Sequence, residues 1–360
     1  MPHPPPHPLT HRLVPSPAGR IHLVEQGIGP LVLLVHGFPE SWYSWRHQLP
    51  ALAAAGYRAV AIDVRGYGRS SRPEETSAYG MLDLVDDNVA VVHALGESSA
   101  VVVGHDWGAT IAATSALVRP DVFRAVALLS VPYSPPGGPR PSEVLAHIGG
   151  EEEEFYVSYF QEPGRAEAEI EPDVRGWLAG FYAALSADTM PEPGAPDPHF
   201  VTRGASEGAS EGGDGGGGGG GGGDGGGGGG GGGKGTLRER FPRHRLPAWL
   251  SDHELDFYAA EFECTGMTGA LARYRNMDRD WEDLADGGHT GAPVTQPALF
   301  IGGSLDASTT WLADAIDAHP VTLPALTGSH ILEGCGHWIQ QERPEETNAL
   351  LTGWLKSLPA

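Results

Sequence analysis

Residues 100–118 read AVVVGHDWGATIAATSALV, and the fold turns on them. The opening AVVVG is a continuous apolar run, as expected of a strand in a sheet covered on both faces. The closing part, from Gly108 to Val118, is rich in alanine and follows almost at once, as a helix would. Between them stands Gly104-His105-Asp106-Trp107-Gly108. Glycines flanking a central residue let the chain turn sharply and present that side chain at the start of the helix. The spacing is that of a G-x-S-x-G nucleophile turn with aspartate in the serine's place. A helix start favours negative charge, but Asp106 taken alone reads equally well as a plain N-cap.

Working outward, similar apolar runs lie at 31–36 (LVLLVH), 57–62 (YRAVAI), 123–130 (FRAVALLS), 298–302 (ALFIG) and 330–332 (HIL). Met81, Leu84, Val85, Val89 and Val92 mark one face of a helix between two of them. Strand–helix alternation of this kind predicts an α/β fold, a mostly parallel central sheet flanked by helices. Residues 12–14 and 21–24 flank SPAG and predict a hairpin near the start. The alternation stops after Pro132. Helical stretches are expected instead at 152–161 and at 252–264. The second opens with Ser251 and Glu254 at capping-box spacing, and Gly266 follows its end. A helical cap is therefore inserted between the later strands. The expected division is a disordered leader at 1–11, core at 12–134, cap at 135–290 and core again at 291–360. Within the cap, 204–236 is expected to be a disordered loop. Gly212 to Gly235 is glycine except for Asp214, Asp224 and Lys234, and such a segment cannot bury apolar surface.

The 360 residues with 40% hydrophobic content supply ample core for one large domain with an insertion. A formal charge of -23 argues against nucleic acid and anionic membrane as partners, both being polyanions. Cys264 and Cys335 form no disulfide framework and lack zinc-ligand spacing. The opening MPHPPPHPLTHR has no apolar run, so the cytoplasm is the expected compartment.

Aspartate at the turn changes the reaction class. A serine needs a base before it can attack, whereas a carboxylate with a reference pKa near ~3.9 is already charged. It suits attack on a saturated carbon, giving an alkyl ester that an activated water then hydrolyses. That second half needs a base and an oxyanion hole. Gly303-Ser304-Leu305-Asp306 follows the run ALFIG, and Gly334-Cys335-Gly336-His337-Trp338 comes later. The order nucleophile, acid, histidine makes Asp306 the orienting group and His337 the base. With 16 histidines in the chain, the arrangement matters more than the residue. His36-Gly37-Phe38-Pro39-Glu40 follows the run LVLLVH and nominates the Phe38 amide, with that of Trp107, for the oxyanion hole. Structural or electrostatic roles are favoured for His36 and Glu40, since neither has an assigned proton to move. Glu151 to Glu154 reads as a solvated helix start. Trp42 and Trp45 read as core or pocket aromatics.

HGFPESWYSWRHQ, DVRGYGRSS, GHDWGA, YFQEPGRAEAE, RYRNMDRDW and GCGHW together resemble the soluble epoxide hydrolases of the α/β-hydrolase superfamily. The resemblance spans nearly the whole chain apart from the leader and the glycine segment. It implies two cap tyrosines that hold the epoxide oxygen, which match Tyr156 in FYVSYFQEPG, with Tyr159 a near competitor, and Tyr274 in RYRNMDRDW. Independently, an opening epoxide develops alkoxide charge that two phenolic donors would stabilise. His36, Trp107, Phe160 and Trp338, in or beside these motifs, are expected to bind substrate. The resemblance implies conversion of a small apolar epoxide and water to a vicinal diol, no metal or organic cofactor, and no nucleic-acid or membrane partner. It leaves a homodimer open. GHDWG alone is shared with haloalkane dehalogenases, and a haloalkane or haloacid dehalogenase using the same triad would carry a halide site in place of the tyrosines. A ligand-binding member without turnover is the rival of another class.

Overall fold

The computed structural model describes residues 8–148, 153–190, 197–202, 236–241 and 245–359. The glycine segment expected at 204–236 lies outside the described residues except for Thr236, as do residues 1–7 of the expected leader.

Eight strands form the central sheet: β1 (Thr10–Ser16), β2 (Gly19–Gln26), β3 (Leu31–Val35), β4 (Arg58–Ile62), β5 (Ala100–His105), β6 (Phe123–Leu129), β9 (Ala298–Gly303) and β10 (Leu326–Leu332). Among the described residues two further strands, β7 (Glu153–Phe155) and β8 (Phe200–Thr202), pair in a separate antiparallel ribbon. The sheet runs in the order β1-β2-β4-β3-β5-β6-β9-β10. β1 and β2 are the expected hairpin, and β2 meets β4 antiparallel; every other pairing is parallel. The first strand begins at Thr10, two residues inside the stretch expected as leader.

The apolar runs earn their continuity by facing two cores. Leu31, Leu33 and Val35 of β3 join one cluster with Val102, Val126 and Leu128, while Val32 and Leu34 join the other with Val101, Val103 and Leu129. The central strands are thus buried on both faces, as parallel strands between helical layers must be. β10 differs. It is an edge strand with alternating exposure, so only its last residues looked apolar in the sequence. The helix Met81–Ala94 buries the five residues that marked its face. Trp42 and Trp45 belong to the second core cluster rather than to a pocket.

The chain leaves the sheet after β6 and returns at β9, and the insert between them is mostly helical. Asp252–Thr265 has the expected capping box, with Ser251 Oγ accepting from Glu254 N, and ends at Gly266 with φ 70°. The expected helix at 152–161 is a correction. Glu153 to Phe155 are strand β7, and helix occupies only Tyr156–Tyr159. Glu151 and Glu152 lie outside the described residues, and Glu153 and Glu154 do not cap a helix. Glu153 pairs with Arg240 and Glu154 with Arg165, so ribbon pairing and ion pairs override local helix propensity.

Candidate active site

Asp106 sits where the strand β5 becomes the helix Trp107–Val118, at φ 55° and ψ -124°. This is an unusual backbone for a residue with a Cβ. The flanking glycines are required by close approach rather than by φ. A Cβ on Gly104 would lie 1.9 Å from the Gly108 carbonyl oxygen, and one on Gly108 would lie 2.0 Å from that of Val35. Gly108→Ala should therefore cost about 1–3 kcal/mol of stability through overpacking. Urea denaturation checks this, and an unchanged midpoint would refute the close-packing account.

The plain N-cap reading of Asp106 does not hold, because its side chain makes no capping hydrogen bond. Instead Oδ1 accepts from the Phe38 amide at 2.8 Å, and Oδ2 lies 3.5 Å from His337 Nε2. His337 Nδ1 faces Asp306 Oδ1 at 3.1 Å. Asp306 is held by the Ser308 amide at 3.0 Å as N-cap of the helix Ala307–Trp311. The sequence-predicted triad is thus assembled from three separate strand ends. Of the two expected oxyanion donors, only Phe38 hydrogen-bonds the carboxylate among the described residues; the Trp107 amide lies at the first residue of the helix.

The electrostatics of these three groups are coupled. Burial opposes charge on Asp106, but the His337 contact, the nearby His105 and the Phe38 amide outweigh it and hold the carboxyl below its ordinary value. Burial likewise opposes charge on Asp306, and His337, Ser130 and the Ser308 amide overcome it. Burial also disfavours a charged His337, yet the two carboxylates flanking it raise the imidazole well above 6.5. The two carboxylates thus favour the imidazolium form of the ring.

Above Asp106 lies a cavity of about 610 Å³ whose walls include Trp107, Tyr156, Tyr274 and the exposed Trp311. The two cap tyrosines meet here, with ring centroids 6.5 Å apart. Burial raises both phenols, and the charge of Asp106 adds to it, so both stay protonated donors. Tyr159 faces elsewhere: its hydroxyl donates to Glu169, and Arg165 lies 3.7 Å over its ring. Phe38 packs edge-on against Tyr274 at 5.3 Å, tying the oxyanion loop to the cap.

Three of the four expected substrate-binding residues do not line this cavity; only Trp107 does. His36 is buried, with Nδ1 donating to the Gly37 carbonyl at 2.8 Å and Nε2 accepting from the Val64 amide at 3.0 Å. It is a neutral structural brace between two loops, and burial lowers its pKa accordingly. Phe160 is wholly buried behind Tyr156 and Tyr274. Trp338 is also wholly buried, its indole donating to the Tyr182 carbonyl at 3.0 Å.

Sequence reasoning missed two residues. Ser130, at φ 72°, places Oγ 2.5 Å from Asp306 Oδ2 and 2.9 Å from His337 Nδ1, bracing the acid–base pair. His105 lies against Glu40 Oε2 at 2.8 Å and donates to the His337 carbonyl at 2.8 Å. Glu40 also accepts from the Gly37 amide and from Gln340 and Gln341, so it fastens the oxyanion loop to the histidine loop. This supports the structural reading of Glu40. The histidine loop is further clasped by Glu342, which accepts from the amides of Gly336, Trp338 and, in the cap, Ala187. The His337 amide itself donates to the cap carbonyl of Leu185 at 2.9 Å. No group of three or more metal-ligating side chains suited to a metal ion occurs among the described residues.

Comparison with known proteins sets this geometry in context. A family model described as alpha/beta hydrolase fold matches residues 30–189. The chain is 42% identical to epoxide hydrolase B of Mycobacterium tuberculosis over 97% of its own length and 98% of the relative's. Among solved structures, an epoxide hydrolase from an endophytic Streptomyces shares 64% identity, with a TM-score of 0.86 over 97% of this chain and 95% of that one. Epoxide hydrolase A from Mycobacterium thermoresistibile shares 38%, with a TM-score of 0.81 over 98% and 99%.

Proposed function

We infer the chemistry from one premise: this chain belongs to the epoxide hydrolases of the alpha/beta hydrolase fold, and it converts an epoxide and water to a vicinal diol. In our reading Asp106 Oδ2 attacks an epoxide carbon while Oδ1 stays on the Phe38 amide. The C–O bond of the ring breaks, and the departing oxygen takes a proton from Tyr156 or Tyr274. The product is an alkyl ester on Asp106. A water then loses its proton to His337 and attacks the ester carbonyl carbon. Phe38 stabilises the resulting oxyanion, with the Trp107 amide as second donor. Cleavage of the acyl–oxygen bond releases the diol as the new Asp106 carboxyl gives its proton to the departing oxygen, and His337 is left protonated, as it began.

The observation that carries this reading is a carboxylate with one oxygen at 2.8 Å from a backbone N–H and the other at 3.5 Å from an imidazole, beneath two protonated phenols. The phenols favour an opening epoxide over a departing halide, because an alkoxide needs a proton and a halide does not. The test is a single turnover in heavy-oxygen water. Label should enter the Asp106 carboxyl and the diol should carry none. Labelled diol with an unlabelled Asp106 would refute the ester.

Alkylation also explains how an imidazolium becomes a base. Forming the ester removes the charge of Asp106, one of two carboxylates that raise His337, while burial still lowers it. The imidazole then passes its proton more readily to the phenolate left by ring opening, and can accept one from water. Lowering pH should protonate it and slow hydrolysis, whereas alkylation by the already depressed Asp106 should hardly change. The steady-state fraction of alkyl-enzyme should therefore be greater at pH 5 than at pH 8. Rapid-quench mass spectrometry reads this, and a constant fraction would count against His337 as the base.

The formal charge of -23 supports a small apolar epoxide rather than a polyanion as partner. Cys264 and Cys335 are both free, which supports the cytoplasm as compartment. No helix among the described residues is long and apolar enough to cross a membrane.

A further inference from the structure

We propose that Arg273 is the polar end of a second substrate chamber, where its guanidinium hydrogen-bonds a neutral oxygen acceptor carried on a substituent of the epoxide. The proposal rests on the epoxide reading above. A chamber of about 190 Å³ adjoins the main cavity, and the two share Trp107, Thr110 and Met277 as walls. Arg273 and Asp280 line only the smaller one. The Trp107 ring stands between the two sites, 5.2 Å from the Tyr274 ring and 5.0 Å from the Arg273 guanidinium carbon. A substituent that passes the indole thus leaves the epoxide under Tyr274 and arrives beside Arg273.

The guanidinium has donors to spare. Arg273 is 3% exposed; Nη1 donates to the Tyr79 carbonyl at 2.6 Å and Nη2 pairs with Asp280. The other Asp280 oxygen accepts from the Met81 amide at 2.6 Å. Nε has no hydrogen-bond partner among the described residues. A buried N–H left unpaired is costly, and most such groups in folded proteins have a partner. An incoming acceptor would supply one. Burial lowers Arg273 to about 9, so it stays charged at neutral pH. Asp280 already balances that charge, and a carboxylate entering the chamber would face it. An ether, carbonyl or hydroxyl oxygen meets the donor without that repulsion.

The test is a series of terminal alkyl epoxides in which one chain methylene at a time is replaced by oxygen. Each is compared with its all-carbon parent by kcat/KM on the whole protein. One or two adjacent positions should exceed the parent by about tenfold or more, the scale of a hydrogen bond to a charged donor. In the paired variant Arg273→Met/Asp280→Asn the advantage should shrink to about twofold or less. The pair removes both charges together, and asparagine keeps an acceptor for the Met81 amide. Dissociation constants of the matching diols, read by tryptophan fluorescence on the unaltered protein, should show the same positional advantage without a variant or turnover. A flat series, an advantage that survives in the variant, or a larger gain from a terminal carboxylate overturns the assignment. Absence of diol from every member, parents included, overturns the epoxide reading instead.

Discussion

Asp106→Asn should lower diol formation by at least about 10⁴-fold and leave no substrate mass on the protein. The neutral amide keeps nearly the same shape and can still accept from the Phe38 amide, 2.8 Å from Oδ1 in the parent. What it loses is the charged nucleophile. It also removes one of the carboxylates that raise His337. The fold should survive, because the strained φ of 55° is better tolerated by asparagine than by most residues. Kinetics and intact-protein mass after incubation with an aryl epoxide check this. A variant that retains more than about a hundredth of the activity would mean that water, not Asp106, opens the ring.

His337→Gln should act at the other half of the cycle. Ring opening needs Asp106 and the phenols, all of which remain. Ester hydrolysis loses its general base, worth about 10²–10⁴-fold. The protein should therefore gain the mass of one substrate within the mixing time and release diol very slowly. The two variants separate the steps: the first never forms the adduct, and the second cannot clear it. An unmodified mass for the histidine variant, with diol still produced, would remove His337 from the mechanism.

Much of this was legible before any coordinates. The buried strands announced themselves because parallel strands between two helical layers are apolar at every position. The edge strand β10 was caught only at its end, since alternating exposure dilutes its apolar signal. β7 was misread because glutamates favour helices locally, and its ribbon partner β8 lies far along the chain. At the site, Asp106, Asp306 and His337 stand in glycine-marked turns that motif spacing can find. Ser130 had no such marker, and His105, though inside the Asp106 turn, has no role that its spacing could show. Their roles exist only where the fold brings Asp306, Glu40 and the His337 loop against them. His36, Phe160 and Trp338 sit beside the right motifs, yet sequence proximity says nothing about which way a side chain turns.

The grip of Glu342 on three amides, one of them from Ala187, has a bearing on redesign. Roof and floor here are not interchangeable parts. A chimera that imports a foreign lid to widen substrate scope would unmoor the imidazole unless the donor also supplies the equivalents of Leu185 and Ala187. Recombination junctions belong on the far side of that clasp.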